Sequence, residues 1–319
     1  MLHSSSATVP APFSEGLGFL WVELTNLCNL KCVHCYAGSG PDQPQHGHMT
    51  RDRYETVIKE AAELGCTSIQ FIGGEPSLSE DLQGLIALAA GSGFRFIEVF
   101  TNLTHLSPLL LECFKTYGVH VATSVYSDRA EVHDAVTGSS GSFLRTVSNI
   151  KRVMAAKLPL RAGFIEMKQN AGMFESTRQF LTELGVDDVG HDSVRDFGRG
   201  NGDCKESELG NLCGACGRDT LCVNPDGQIS PCIMSKSWPV GSVLEASLRE
   251  IITSRDLTEI RSDIRRATNR EVQAVCQPKV CEPYQHCQPK WGGGPCEPTG
   301  CTPCYPKGIR RPTETEQQP

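Results

Sequence analysis

The stretch "LCNLKCVHCY", residues 27–36, sets Cys28, Cys32 and Cys35 in a C-x3-C-x2-C pattern with Tyr36 directly behind the last thiol. Three thiolates on so short a loop suit an iron–sulfur cluster. Such a cluster wants four ligands, so three cysteines leave one iron open to another molecule. The alternative is a structural zinc site that borrows Cys66, or one of His34, His46 and His48, as its fourth ligand. Zinc knuckles favour C-x2-C pairs, and the tighter loop here fits a cubane better.

The chain has 319 residues and sixteen cysteines, which need an explanation. In a reducing compartment clustered cysteines are more often metal ligands than disulfides. After the first set, Cys204, Cys213, Cys216, Cys222 and Cys232 lie past the middle, and Cys276, Cys281, Cys287, Cys296, Cys301 and Cys304 crowd the tail. Cys66 and Cys113 stand apart and read as small buried hydrophobes. A net charge of −7 gives no basic footprint for nucleic acid or anionic lipid. No apolar run approaches a membrane span, and the first residues lack a secretory signal, so the expected location is cytoplasmic.

The elements that must position the first cysteines are legible in the patterning. Strands are expected over 19–25, 68–74, 96–102, 120–127, 160–167 and around 188–197. Between them run helices, the first capped by Thr50, with Tyr54, Val57, Ile58, Ala61 and Leu64 on one face and Gly65 at its end. Further helices are expected near 80–91, 106–117, 142–156 and 174–185. Six β–α repeats imply a parallel sheet with helices outside, curling toward a barrel whose chemistry sits where the strands end. Beyond Gly198 the texture turns Gly-rich and polar. A hairpin, "LCVNPDGQISPC", follows with its turn at Pro225-Asp226-Gly227, then one helix near 245–265. Residues 276–308 are rich in Cys, Pro and Gly and need a metal or disulfide staple.

The cysteine loop resembles the signature of the radical SAM superfamily. That resemblance implies a 4Fe-4S cluster on Cys28, Cys32 and Cys35, with S-adenosyl-L-methionine on the open iron and a 5′-deoxyadenosyl radical as the reagent. It extends to "GGEP", Gly73, Gly74, Glu75 and Pro76, which follows the second strand as the family's motif for the methionine amino group does. Glu75 would accept from the ammonium, and glycine lets backbone come close. By the same resemblance Tyr36, Asn102, Ser124 and Arg195 are cofactor-binding candidates, Ser124 for the ribose and Arg195 for the carboxylate.

The second half resembles a SPASM or twitch domain. Gly227 and Cys232 match the G-x4-C end of its hairpin, Cys213 or Cys216 lies upstream, and Cys276 and Cys281 follow at about the distance of a twitch domain's last ligands. The spacing C-x4-C-x5-C over Cys276, Cys281 and Cys287 departs from the SPASM pattern and leaves the number of auxiliary clusters open between one and two.

The expected fold is α/β: a partial (β/α)6 TIM-like barrel with a C-terminal Cys-rich SPASM/twitch-like domain. The boundaries are an arm at 1–18, the barrel at 19–203, the auxiliary domain at 204–305 and a disordered tail at 306–319. An electron donor such as flavodoxin or ferredoxin is implied, with a small-molecule or peptide substrate and neither nucleic acid nor membrane as partner. "GGEP", "SVYSD" and "FGRG" in a short chain resemble radical SAM epimerases of natural-product pathways. Epimerisation is therefore the favoured outcome, with Cys222 and Cys204 as hydrogen-donor candidates. Strand alternation places Cys222 on the more polar face of its hairpin. A peptide maturase forming a thioether or carbon–carbon crosslink is the alternative, with a radical dehydrogenase beside it, and a non-enzymatic iron–sulfur or zinc protein a distant one.

Overall fold

The computed structural model describes residues 16–202 and 208–268. Its frame is set by apolar alternation. In β1 (Phe19–Glu23) Leu20 and Val22 point one way, Phe19 and Trp21 the other, and all are buried. The first set packs under the outer helices, and the second faces the inside of the sheet. The remaining elements are α1 (Arg51–Glu63), β2 (Ser68–Ile72), α2 (Leu82–Gly91), β3 (Phe96–Phe100), α3 (Pro108–Tyr117), β4 (His120–Ser124), α4 (Ala130–Thr137), α5 (Ser142–Ala155), β5 (Leu160–Glu166), α6 (Phe174–Glu183), β6 (Asp188–Ser193), β7 (Thr220–Val223), β8 (Gln228–Ser230), β9 (Gly241–Ser242), α7 (Leu248–Ile252) and α8 (Arg255–Ala267).

The helices start and stop for local reasons. The Thr50 hydroxyl accepts from Arg53 N at the head of α1, and α1 buries Tyr54, Val57, Ile58 and Ala61. In α3, Ser107 caps, Pro108 opens the first turn and Gly118 ends the helix in the left-handed conformation.

The sheet runs β6-β5-β4-β3-β2-β1-β7-β8-β9, with β1 to β6 parallel. This is the expected partial barrel. Its inner face carries a buried polar knot: Arg161 grips Glu98 through two bonds of 2.7 and 2.8 Å, and the Gln70 amide donates to Glu98 as well. A buried ion pair is tolerable only when its remaining hydrogen-bonding capacity is filled, and here it is.

Several expectations change. The place of the hairpin in the sheet is new: β7 joins β1 in parallel register, Trp21 beside Cys222, so the barrel sheet continues into the second half. A short helix, α4, precedes α5; only one helix is expected there from the sequence, and glycines at 138 and 141 split the segment. The helix expected near 245–265 is two, because Ser254 caps a new start and accepts from Leu257 N. Strand β4 stops at Ser124. Cys66 is buried as expected, but Cys113 lies within α3 and is only half-buried. Among the described residues no helix is long and apolar enough to cross a membrane.

Candidate active site

The loops after the parallel strands converge on one cavity with about 950 Å3 of empty space, part of it open to solvent. Its wall includes Cys28, Cys32 and Cys35 after β1, Gly73 and Gly74 after β2, Asn102 after β3, Ser124 at the end of β4, and Arg195 after β6. Tyr36 lines it too, with apolar Ile72, Phe100, Tyr126 and Ile165 between the polar groups.

The cysteine loop is pinned along its length. Thr25 Oγ1 accepts from Leu27 N and donates to Gln45 O, and Cys28 N donates to Gly40 O. Lys31 N and Val33 N donate to Thr137 O and Val136 O at the end of α4. Cys28 Sγ accepts from Leu30 N at 3.4 Å and from Asn102 Nδ2 at 3.7 Å. Burial, then the nearby Glu75 charge, pushes the Cys28 thiol up to about 12, against those two donors. Burial likewise pushes Cys32 far up, with the Arg199 guanidinium opposing. Thiols in this state bind little until a cation replaces their protons, as a metal cluster does.

The glycine turn fits the same purpose. Gly73 has φ +133, and a Cβ there would stand 2.6 Å from Thr25 O; one on Gly74 would stand 2.1 Å from Leu27 O. Both positions must be glycine for the second loop to lie against the first. Glu75 does something other than expected. Its Oε1 accepts from Thr101 Oγ1 at 2.6 Å and Ser77 N at 3.0 Å, and its Oε2 from Asn102 N at 2.8 Å. Fully buried and outside the cavity wall, the carboxylate ties the second and third loops together. Of this motif, Gly73 and Gly74 line the cavity. Pro76 is buried at the head of a 3-10 turn, Pro76–Leu78.

Asn102 also donates to Asn29 Oδ1 at 2.8 Å, so the third loop orients the first. Arg195 reaches the cavity wall while holding Asp192 at 2.8 Å.

A second thiol group lies beside the barrel. Cys213 Sγ is 3.8 Å from Cys216 Sγ, and Cys216 Sγ is 3.0 Å from Cys232 Sγ. Hydrogen bonds with Cys213 and Cys232 hold the Cys216 proton on, and burial adds to this. Cys222 faces the same inner layer as Trp21, Cys216 and Cys232 and is wholly buried, with Glu23, Lys236 and Ser230 near its thiol. It does not line the cavity. Alternation along β7 is as expected, with Leu221 and Val223 in the apolar outer layer. Cys204, Cys276, Cys281, Cys287, Cys296, Cys301 and Cys304 lie outside the described residues, as do the arm up to residue 15 and the tail.

Of the residues considered as a fourth zinc ligand, His34 lines the cavity with the three cysteines, whereas Cys66 and His48 have partners elsewhere. Cys66 donates to Ser68 O at the far end of β2, and His48 pairs with Asp226.

Sequence reasoning missed three groups. Lys236 reaches from the loop after Cys232 to buried Glu23 at 2.7 Å and lies over the Tyr36 ring. His133, on the unforeseen α4, lines the cavity; burial pushes its imidazole down to about 4. Arg199, inside the quoted "FGRG", holds the cysteine loop from behind. Only the last carried a signal: an arginine between glycines just after a strand end.

Three thiols at the strand ends of a partial α/β barrel share one cavity with a glycine turn, an arrangement that suits a metal cluster. A model of the radical SAM superfamily matches residues 22–181, half of the chain, and a model of the SPASM iron–sulfur cluster-binding domain matches residues 213–283. The chain belongs to the radical SAM superfamily and carries a SPASM domain. The superfamily's S-adenosylmethionine and 4Fe-4S clusters, one catalytic and at least one auxiliary, are its cofactors.

Among curated relatives, the AdoMet-dependent heme synthase of Methanosarcina barkeri is 32% identical over 165 residues, 51% of this chain and 47% of the relative. The antilisterial bacteriocin subtilosin biosynthesis protein AlbA of Bacillus subtilis is 26% identical over 266 residues, 73% of this chain and 58% of the relative. The chain thus spans about half the length of the curated relatives it matches. Among solved structures, Streptococcus suis SuiB bound to its precursor peptide SuiA superposes with TM-score 0.63 at 15% identity, covering 76% of this chain and 66% of that one. The enzyme anSMEcpe with bound AdoMet and a peptide superposes with TM-score 0.60 at 15% identity, covering 76% and 82%. These likenesses show a shared fold.

Proposed function

We propose that this chain is a radical SAM enzyme that takes a hydrogen atom from a peptide and leaves it oxidised, as a thioether or carbon–carbon crosslink. The observation that carries the radical assignment is the single cavity shared by Cys28, Cys32, Cys35 and the Gly73–Gly74 turn. Peptide as the substrate class draws support from the likeness to a bacteriocin biosynthesis protein over 73% of the chain, and from the fold shared with two enzymes solved with peptides bound.

Cys28, Cys32 and Cys35 would hold the catalytic cluster. Loaded there with S-adenosylmethionine, it supplies reductive cleavage of the sulfonium and a carbon radical that abstracts hydrogen. Gly73 and Gly74 let the ligand approach backbone. Asn102 orients the Cys28 sulfur, and Ser124 and Arg195 offer polar contacts at the opposite wall. Ile72, Phe100, Tyr126 and Ile165 keep water from the reacting centre. Cys213, Cys216 and Cys232 would hold an auxiliary cluster, with one of Cys276 and Cys281 as its fourth ligand. Flavodoxin or ferredoxin would supply the electron. The proposed domain boundaries remain 19–203 and 204–305.

Epimerisation, favoured by the sequence, is the weaker reading. It needs a thiol that can return hydrogen to the substrate; of the two candidates, Cys222 is buried and does not line the cavity, and Cys204 lies outside the described residues. The test is to incubate the reconstituted full chain with candidate precursor peptides, S-adenosylmethionine and a reductant in heavy water. A crosslinked product is lighter by two hydrogens, forms with 5′-deoxyadenosine and carries no solvent deuterium at carbon. A product of unchanged composition with one carbon-bound deuterium would sink the crosslink and restore epimerisation.

A further inference from the structure

The cysteine loop has a back as well as a front. The front lines the cavity. The back is covered by the segment just past β6, where Phe197 is buried and Gly198–Asn201 forms one 3-10 turn. Arg199 makes three bonds to the loop from there. Its Nε donates to Cys32 O at 2.7 Å, its Nη2 donates to Ser39 O at 2.7 Å, and its backbone N donates to Cys35 O at 2.9 Å.

Two of these carbonyls belong to cysteines of the signature, and the third belongs to the residue that closes the loop. The Cys32 carbonyl also accepts from Cys35 N, and the Cys35 carbonyl from Gly38 N. Arg199 therefore completes the acceptance of the same two peptide groups that fold the loop on itself. The approach is close enough to demand glycine on both sides of the arginine. A Cβ on Gly198 would lie 2.3 Å from the carbonyls of both Cys35 and Tyr36, and one on Gly200 would lie 2.6 Å from Arg195 O. This explains "GRG" as a unit: a fork flanked by two residues without side chains.

We propose that Arg199 is a positioning residue that locks the three-cysteine loop into the shape that presents its thiols to the cavity. Its planar fork grips Cys32 O and Ser39 O together. The proposal rests on Cys28, Cys32 and Cys35 holding the catalytic cluster. Six residues lie between the two carbonyls in sequence, so the fork staples the loop across its back. A lysine carries the same charge but is a point donor on a flexible stem and cannot span both carbonyls with fixed geometry. Charge and fork make separable predictions, because lysine keeps the first and loses the second. Arg195, four residues earlier, faces the cavity and is tied to Asp192, so the segment after β6 serves both faces of the site.

The experiment uses the full chain reconstituted with iron and sulfide, as wild type, Arg199→Lys, Arg199→Met and Gly198→Ala. The Cys28/Cys32/Cys35→Ala variant is the control. The readouts are iron content, the EPR spectrum of the reduced protein with and without S-adenosylmethionine, and the dissociation constant of S-adenosylmethionine. Circular dichroism checks the fold. Arg199→Lys should keep its helix content and auxiliary iron. It should bind S-adenosylmethionine roughly tenfold more weakly, the loss expected for one charge-assisted bond. Its EPR response to the ligand should shrink. Gly198→Ala, which pushes the segment off the loop without touching the charge, should do the same. Selective loss of catalytic iron in Arg199→Met would agree with both.

Wild-type affinity and EPR response in Arg199→Lys overturn the fork. So does general loss of helix in all three variants, which would make the segment a fold element only. If the triple-cysteine control keeps the ligand-responsive signal, the cluster assignment fails instead. If the control loses that signal while Arg199→Lys matches wild type, only the clamp fails.

Discussion

Replacing Glu75 with Gln tests whether the "GGEP" carboxylate ties loops or touches ligand. Glu75 receives three donors: Thr101 Oγ1 and Ser77 N on one oxygen, Asn102 N on the other. An amide offers one acceptor oxygen. The cheaper orientation keeps the two donors on Oε1 and turns the NH2 toward Asn102 N, where donor meets donor. A hydrogen bond to a charged group contributes about 1.5–3 kcal/mol. Burial works the other way, because it raises the Glu75 carboxyl above its usual range and a neutral amide escapes part of that penalty. The three bonds should dominate, leaving a net loss of about 2 kcal/mol, or roughly 5 °C in Tm for a domain of this size. The damage should centre on Asn102, which orients Cys28 and lines the cavity, so S-adenosylmethionine should bind about tenfold more weakly. Thermal unfolding by circular dichroism and equilibrium ligand binding measure the two effects. An unchanged Tm together with a large loss of affinity would mean that Glu75 meets the ligand directly, and the loop-tying argument would be wrong.

Replacing Cys28, Cys32 and Cys35 together with Ala should abolish 5′-deoxyadenosine formation while leaving about four irons for each auxiliary cluster; zinc in place of that iron would overturn the auxiliary assignment. Gly74→Ala puts a methyl 2.1 Å from Leu27 O, backbone against backbone, and should lower Tm and ligand affinity together; wild-type behaviour would show that the two loops are not held in contact. His133 is a buried base whose imidazole sits near 4 against an ordinary 6.5. Below about pH 6.5 the unfolded chain takes up a proton that the folded one refuses, so stability falls as pH drops toward 4. Between about pH 7 and pH 5 the wild type should lose about 2 kcal/mol more than His133→Phe. Equal losses in parallel unfolding curves would mean that His133 is protonated in the folded state.

Strands β1 to β5 were legible because apolar residues recur along them, and α1 and α3 because Thr50 and Ser107 cap them; β6, "DVGHDS", is only partly buried and carried the weakest pattern. The register of β7 against β1 was not legible. "TLCV" is four residues long, and nothing local says that it will pair with a strand two hundred residues earlier. Helix α4 was hidden because its eight residues offer two turns, too few for periodicity to show, and its burial comes from the Tyr126 and Phe143 rings around His133. The site shows the same division. Cysteine and glycine spacing is a local property and marked the front of the cavity. Arg199 acts across more than 160 residues of sequence, so its partners are invisible until the chain is folded.

That division bears on what determines the product. The residues legible from spacing are those that cluster chemistry demands of any member of the superfamily, and they say little about what happens after hydrogen abstraction. The outcome depends on which group meets the substrate radical, and that is a matter of burial. Cys222 shows this directly. Its type and place in the hairpin make it a reasonable hydrogen donor, yet the continuation of the sheet from β1 into β7 turns its thiol into the layer shared with Trp21, Cys216 and Cys232. A thiol shut away from the cavity cannot quench a radical within it. The strand pairing that carries the barrel sheet from β1 into β7 thus takes Cys222 out of reach of the cavity, and the choice between oxidation and inversion passes to Cys204 and to whatever other group meets the substrate radical.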